Sequence, residues 1–201
     1  QQDLSHSRHI QLQPLGDLVA DADVQGQARV SGAHFEQGHH GIHDITVNLH
    51  HLPSAIEQFF GDGSEFDLDL HYSHENAILG TAGGILAARR FLDGGPFIVI
   101  NSDIITDIDL EKVVAFHQAQ NAAVTLVLFD GNTTGIHDPI ELDESGRVVH
   151  MVGASSMNTP EITTPVTFTG VQVIEPEIFD RIPGNQFCGT TKDVYPQMIE
   201  E

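Results

Sequence analysis

The stretch from residue 75 to residue 109 constrains the fold of this chain most strongly. Its glycine-rich part, residues 80–84, is followed by ILAARRFL, in which apolar residues recur at roughly helical spacing. After a Gly-Gly-Pro break comes the uninterrupted apolar run of residues 97–100, the pattern of a strand buried on both faces. We therefore predict a glycine loop, a helix and a buried strand, in that order.

Polar residues follow directly after the predicted buried strand. Asn101, Ser102 and Asp103 stand at its carboxyl end, where open parallel α/β sheets bind their ligands. A glycine loop before a helix exposes backbone N–H groups that suit a phosphate. Taken alone, each feature has a plainer interpretation, as a turn or a helix cap, but their combination favours a ligand site. We expect Asp103 to face the same crevice as the backbone of residues 80–84.

Strand and helix patterns alternate around this stretch, which is typical of an α/β sheet. Strand patterns occur at residues 44–49, 66–72 and 122–129, and helix patterns begin at Pro53 and span residues 110–120, with Asp107 and Asp109 as caps or dipole partners. We predict that the strands near Ile45, Ile98 and Val124 share one sheet. Beyond residue 139 strands dominate, and short helices follow at residues 175–182 and 191–201, the second capped by Thr190 or Thr191.

The first 40 residues show a different pattern. Residues 1–16 are polar and show no periodicity, so we interpret them as an irregular lead. Residues 18–35 form three six-residue blocks, LVADAD, VQGQAR and VSGAHF, similar to the hexapeptide repeat of left-handed β-helices. Such units cannot bury their faces alone. We predict a short, strand-rich appendage over residues 1–40, followed by an α/β domain over residues 41–201.

Composition restricts the partners of the chain. With 29 acidic and 8 basic residues the formal charge is −21, so nothing neutralises a phosphate backbone, and nucleic acid or an anionic membrane is disfavoured. No apolar run of about 18 residues and no basic start before an apolar core is visible. The lone Cys188 cannot form an internal disulfide, and the 13 histidines lack regular ligand spacing. These features favour a cytoplasmic protein.

Several motifs beyond residue 41 resemble one known family, the sugar-phosphate nucleotidyltransferases. In family order they are GIHDITVNLHH, FGDGSEF, LGTAGG, FIVINSD, FTG and DVYP. The resemblance implies a three-layer, Rossmann-like (GT-A-like) α/β domain with a mixed, mostly parallel sheet, incomplete at its N-terminus. It also implies transfer of a nucleotidyl group from an NTP to a sugar 1-phosphate, with Mg²⁺, to give an NDP-sugar and pyrophosphate.

Site roles come from the same resemblance. It assigns the metal and catalysis to Asp103, the nucleotide to Gly80, Thr81, Ala82, Gly83 and Asn101, and the sugar phosphate to Gly135, Thr169 and Gly170. A glycine turn and a strand threonine are the plainer interpretations of the last three. Homo-oligomerisation is compatible with the sequence, which does not identify the base or the sugar.

The sequence departs from the family pattern in three places. The family's N-terminal phosphate loop, with its arginine and a later Lys-Pro, does not precede residue 41, and Met-Val-Gly-Ala replaces its Glu-Lys-Pro. The Trp-x-Asp-Ile-Gly segment with the second metal aspartate is also absent. We therefore expect slow turnover from the chain as written. The alternatives are a relative that binds nucleotide or sugar phosphate without turnover, and a hexapeptide protein whose coil is an oligomer contact.

Overall fold

The structure is a computed structural model that describes residues 10–15, 27–31, 42–130, 140–157, 159–184 and 186–200. Its strands are β1 (Ile10–Leu15), β2 (Gln27–Ser31), β3 (Asp44–Leu49), β4 (Asp69–His74), β5 (Phe97–Asn101), β6 (Val124–Phe129), β7 (Ile140–Leu142), β8 (Val148–Met151), β9 (Ala154–Ser155) and β10 (Thr164–Ile174). Its α-helices are α1 (Pro53–Phe60), α2 (Gly80–Ala87), α3 (Arg89–Leu92), α4 (Leu110–Gln120) and α5 (Tyr195–Glu200). No helix among these residues is long and apolar enough to cross a membrane.

One mixed sheet organises the described part of the chain. Its strand order is β4-β3-β2-β5-β10-β7-β8-β9, and β6 pairs with both β10 and β1. The strands near Ile45, Ile98 and Val124 therefore share one sheet, as predicted. Strands β1, β3, β4, β5 and β6 point in one direction, whereas β2 and β10 run against them. Because β2 and β10 lie between such strands, most neighbouring pairs are antiparallel, and the expectation of a mostly parallel sheet needs this correction.

Alternating residues of the central strands pack on opposite faces of the sheet. On β5, Phe97 and Val99 belong to one buried cluster with α2 and α5, whereas Ile98 belongs to a second cluster with α4. On β6, Leu126 joins the first cluster and Val127 joins the second. A strand covered by helices on both faces needs apolar side chains at every position. The three-layer α/β prediction is thereby confirmed.

The N-terminal strands join this sheet. Residues 10–15, predicted as part of an irregular lead, form β1 and pair in parallel with β6. Residues 27–31, from the hexapeptide-like blocks, form β2 between β3 and β5. The rest of residues 1–41 lies outside the described residues. A boundary between an appendage and a domain at residue 40 stays a prediction, but these two stretches contribute to the main sheet.

Local predictions succeed where apolar periodicity is strong. Helix α1 begins at Pro53, and α4 begins after Asp109, whose carboxylate accepts a hydrogen bond from Lys112 N at 3.2 Å. The strand predicted at residues 66–72 starts later, because residues 64–66 form a 3₁₀ turn. Pro176–Arg181 is also 3₁₀. The final helix begins as a π-helical turn, Thr190–Val194, without a side-chain cap, so the prediction of a threonine cap was wrong.

Candidate functional site

Three neighbouring strand ends form one edge of the sheet. Strand β3 is parallel to β4, and β2 runs antiparallel to both β3 and β5, so the carboxyl ends of β3, β4 and β5 meet at the same edge. His50 follows β3, Glu75 follows β4, and Asp103 lies in the turn after β5. The predicted position of Asp103 at a carboxyl strand end is confirmed. This is the edge at which α/β sheets bind ligands.

The glycine-rich segment at this edge is helical. We predicted a loop over residues 80–84 and a helix after it, but α2 begins at Gly80 and the helix breaks at Ala88 before α3. The backbone N–H groups of Ala82 and Gly83 donate to the Cys188 carbonyl at 2.9 and 3.1 Å. The Cys188 N–H donates in turn to the Leu79 carbonyl at 2.8 Å. The first turn of α2 is therefore hydrogen-bonded to the backbone at Cys188.

Close backbone approach explains the glycine at the start of α2. Gly80 has φ +75°, and a Cβ there would lie 2.6 Å from the Cys188 carbonyl oxygen. Glycine adopts that conformation without the cost of a Cβ and leaves room for that contact. The Ala82 and Gly83 N–H groups serve the protein's own backbone, not an open phosphate cradle. The assignment of residues 80–83 to a nucleotide stays a prediction. Because the Ala82 and Gly83 N–H groups already donate to Cys188, they do not support that assignment.

Glu75 is a site-edge residue that sequence reasoning did not select. Its side chain is buried, and its two carboxylate oxygens accept hydrogen bonds from Asn48 Nδ2 at 2.8 Å and from Leu79 N at 3.0 Å. The sequence signal was a carboxylate placed directly between a strand and the glycine-rich segment. That signal is weak, since acidic residues are common in loops.

Asn101 and Gly170 lie side by side at the end of β5. Val171 pairs with Ile100, and a Cβ on Gly170, whose φ is +88°, would lie 2.9 Å from Asn101 Nδ2. The buried Oδ1 of Asn101 has no hydrogen-bond partner among the described residues. The structure therefore brings together two residues that were assigned to different ligands. An unsatisfied buried amide oxygen next to a strand end is an available ligand or hydrogen-bond acceptor.

Thr169 lies in a bulge of β10 beside the same edge. The register of β10 against β6 shifts between Phe168 and Gln172, so that Val127 faces the bulged segment. The Thr169 hydroxyl donates to the Val127 carbonyl at 2.9 Å and accepts from Val171 N at 3.4 Å. These contacts satisfy the bulge's own backbone. Its predicted role toward a sugar is untested, and Gly135 lies outside the described residues.

The carboxylates of the described part do not by themselves form a metal cage. No group of three or more His, Cys, Asp or Glu side chains in those residues is arranged to hold an ion. Mg²⁺, however, is usually held by one or two carboxylates, several waters and the substrate's phosphates. The exposed Asp103 and the unsatisfied Asn101 Oδ1 fit that type of donor set.

Cys188 has the chemistry of a structural residue. Burial, and secondarily the negative charge of Asp193, raises the pKa of the Cys188 thiol, so the thiolate form that acts as a nucleophile is disfavoured. The contribution of Cys188 to this site is its backbone. The site therefore offers charge, hydrogen bonding and positioning, and Cys188 does not provide a nucleophile.

Comparisons with known proteins identify the family of this chain. A family model described as nucleotidyl transferase matches residues 26–153. A mannose-1-phosphate guanylyltransferase of Mycobacterium tuberculosis is 30% identical over 161 residues, which is 80% of this chain and 44% of that protein. A UTP–glucose-1-phosphate uridylyltransferase of Synechocystis is 27% identical over 174 residues, with the same coverage of 80% and 44%. The chain thus spans less than half the length of these relatives.

A solved structure shares the fold. The crystal structure of HddC from Yersinia pseudotuberculosis superposes with a TM-score of 0.62 at 18% identity, covering 78% of this chain and 66% of that one. The same protein complexed with GMP-PN superposes with a TM-score of 0.61. The identity is low, so this likeness supports the architecture alone.

Proposed function

Because this chain belongs to the nucleotidyl transferase family, we propose that its site carries out, or derives from one that carries out, nucleotidyl transfer to a sugar 1-phosphate. In this reaction a phosphate oxygen of the sugar 1-phosphate attacks the α-phosphorus of an NTP. The bond from the α-phosphorus to the bridging oxygen breaks, and pyrophosphate leaves. The products are an NDP-sugar and pyrophosphate. No covalent intermediate with the protein is needed.

One observation supports this proposal most directly. Asp103 and the unsatisfied Asn101 Oδ1 lie at the end of a strand buried on both faces, at the sheet edge where the glycine helix α2 also begins. Positioning and charge neutralisation provide most of the catalysis in phosphate chemistry. This edge offers positioning, because its backbone is fixed by the sheet and by the contact with Cys188, whereas Asp103 would contribute to charge neutralisation by holding Mg²⁺.

Asp103 and Asn101 are the residues that would hold Mg²⁺. When bound, the ion would supply charge neutralisation for the phosphates. The exposed Lys192, in the π-helical turn that packs beside α2, adds a positive charge for a phosphate. A protein of net charge −21 otherwise repels an NTP, so these local positive charges matter for binding.

A second candidate function is binding without turnover. It is favoured because the described residues contain no group of three or more His, Cys, Asp or Glu side chains arranged to hold an ion. In addition, the N–H groups of Ala82 and Gly83 are already hydrogen-bonded. The cytoplasmic location and homo-oligomerisation remain part of the proposal. The location rests on the lone cysteine, which fits a reducing compartment.

A pyrophosphate-release assay separates the two functions. The purified 201-residue chain is incubated with Mg²⁺, each common NTP and several sugar 1-phosphates, and nucleotide binding is measured in parallel by calorimetry. Asp103→Asn is the matched variant, since it removes one charge from an exposed side chain without changing its shape. We expect Mg²⁺-dependent nucleotide binding that D103N weakens, and turnover well below the usual ~1–10³ s⁻¹ of enzymes.

The outcomes are distinct. Binding with slow pyrophosphate release supports nucleotidyl transfer by this chain, and binding with no release supports the second candidate. If no NTP binds at millimolar concentration, both are wrong. If D103N loses as much affinity without Mg²⁺ as with it, Asp103 is not the residue that holds the metal.

A further inference from the structure

Glu75 is a buried carboxylate with no role among the residues assigned above. It follows β4 directly, and only 8% of its surface is exposed. A buried charge is costly unless hydrogen bonds compensate it. Here both oxygens are compensated: Oε1 accepts from Asn48 Nδ2 at 2.8 Å, and Oε2 accepts from Leu79 N at 3.0 Å. The carboxylate is therefore fixed between a strand and the start of a helix.

The chemistry of a carboxylate determines both contacts. An ionised carboxylate only accepts hydrogen bonds, so the Asn48 amide must turn its NH₂ group toward Glu75. Leu79 precedes the first residue of α2, and its N–H is one of the donors that a helix leaves unsatisfied at its N-terminus. Helix α2 has no cap from the side chain of Leu79 itself. Glu75 provides that missing acceptor, and its negative charge suits the positive end of the helix.

The backbone of Glu75 adds contacts to the end of β3. Its N–H donates to the Leu49 carbonyl at 2.8 Å, and the His50 ring donates from Nδ1 to the Glu75 carbonyl at 2.9 Å. One residue thus joins the ends of β3 and β4 to the beginning of α2. On its other side, the first turn of α2 is held by the Cys188 carbonyl. Of these two attachments, only the one at Glu75 uses a side chain.

We propose that Glu75 is a positioning residue that holds the glycine helix at the ligand edge of the sheet. This inference rests on the proposed function, because the helix is assigned there to the nucleotide. Displacing a binding element by about 1 Å costs on the order of 10²-fold in activity. Loss of the Glu75 contacts should therefore weaken nucleotide binding while the rest of the sheet stays folded.

The test compares Glu75→Gln with two other variants. Gln keeps the size of Glu but lacks its negative charge and has only one acceptor oxygen. The Asn48 amide can turn its free Oδ1 toward the new NH₂ group, so the variant mainly removes the charged acceptor of Leu79 N, and hydrogen bonds to charged acceptors are roughly twice as strong as neutral ones. Asn48→Ala removes one anchor of the carboxylate and keeps the bond to Leu79. Thr125→Val is the matched control, because it removes one buried hydrogen bond, to His117 at 2.9 Å, near the amino end of β6.

Two measurements read the effect. Hydrogen exchange of the free chain reports on the amides of residues 79–84, and calorimetry measures affinity for ATP, GTP, UTP and dTTP with Mg²⁺, and for glucose 1-phosphate and mannose 1-phosphate. For E75Q we expect faster exchange confined to residues 79–84 and nucleotide affinity reduced about 10-fold or more. Sugar-phosphate affinity should change less than about twofold. Asn48→Ala should also speed exchange at residues 79–84 and lower nucleotide affinity, but by less than E75Q. Thr125→Val should change neither the exchange at residues 79–84 nor the nucleotide affinity.

Each outcome decides the proposal. Unchanged exchange at residues 79–84 in E75Q would overturn it, as would equal losses for nucleotide and sugar phosphate. If E75Q does not fold, Asn48→Ala carries the same comparison, and an exchange pattern like that of Thr125→Val overturns the proposal. If no NTP binds the unmodified chain, the proposed function fails, whereas the exchange data still decide whether Glu75 positions the helix.

Discussion

Replacing Gly80 by alanine tests the contact between the glycine helix and Cys188. Gly80 has φ +75°, and an added Cβ would lie 2.6 Å from the Cys188 carbonyl oxygen and 3.0 Å from its carbon. Real Cβ atoms do not approach backbone atoms so closely, so one backbone must move. The hydrogen bonds from Ala82 and Gly83 to that carbonyl would then lengthen or break.

The expected cost has two parts. A left-handed conformation costs an L-residue roughly 1–2 kcal/mol. Each lost backbone hydrogen bond costs about 0.5–1.5 kcal/mol net, and two are at risk. Gly80→Ala should therefore lower the free energy of unfolding by about 2–5 kcal/mol. Since each kcal/mol shifts the midpoint by roughly 2–4 °C in a chain of this size, the melting temperature should fall by on the order of 10 °C.

Urea denaturation followed by circular dichroism measures the free energy, and two glycine variants separate the two parts. Gly153 has φ +83° with nothing within 4 Å of an added Cβ, so Gly153→Ala reports conformational strain alone. Gly94 has open space and no positive φ, so Gly94→Ala should change stability little. The difference between Gly80→Ala and Gly153→Ala then measures the contact with Cys188. If Gly80→Ala costs no more than Gly153→Ala, the explanation of Gly80 by close backbone approach is wrong.

Three further changes test other parts of the molecule. Gly170 has φ +88° and lies against the Asn101 amide, so Gly170→Ala should lower the free energy of unfolding in urea by about 1–2 kcal/mol and should weaken nucleotide affinity in calorimetry. Unchanged affinity would mean that Asn101 is not part of the nucleotide site. Tyr195→Phe removes a 2.6 Å hydrogen bond to the buried Gln172 and should cost about 1–3 kcal/mol by the same measurement; a neutral result would mean that this bond contributes little. For Asp143, burial raises the pKa, but hydrogen bonds from its own turn outweigh it and lower the pKa overall. A carboxyl group whose pKa is lower in the folded state stabilises the fold at pH values above its unfolded pKa of about 3.9, so Asp143→Asn should be less stable than the unmodified chain at pH 7. When the free energy of unfolding of both chains is measured from pH 7 to pH 3, the difference between them should shrink below about pH 4. A difference that stays constant would refute the charge-based reason.

Much of the central architecture could be predicted from local patterns. The apolar run at residues 97–100 predicted β5, and its placement between two layers follows from the absence of a polar face. The helix at Leu110–Gln120 and its cap at Asp109 also follow from local sequence. A carboxylate directly after a buried strand was enough to place Asp103 at the carboxyl end of β5. In these cases each residue's environment is set by its neighbours along the chain.

Tertiary structure decided what local patterns could not express. The segment at residues 80–84 looks like a loop, because glycine disfavours helix. It is nevertheless helical, and two of its N–H groups donate to the carbonyl of Cys188, which lies more than 100 positions later in the chain. Likewise, residues 10–13 alternate apolar and polar, a short strand signal that the prediction of an irregular lead overlooked, and nothing in that signal indicates that the strand pairs with β6. The environments of Glu75 and Asn101 are likewise formed by residues from other strands and helices. The sequence by itself thus determined which residues are apolar, acidic or glycine and where strands and helices alternate. Only the folded chain decided which distant backbone groups meet, because hydrogen bonds between segments far apart in sequence leave no periodic pattern in the sequence.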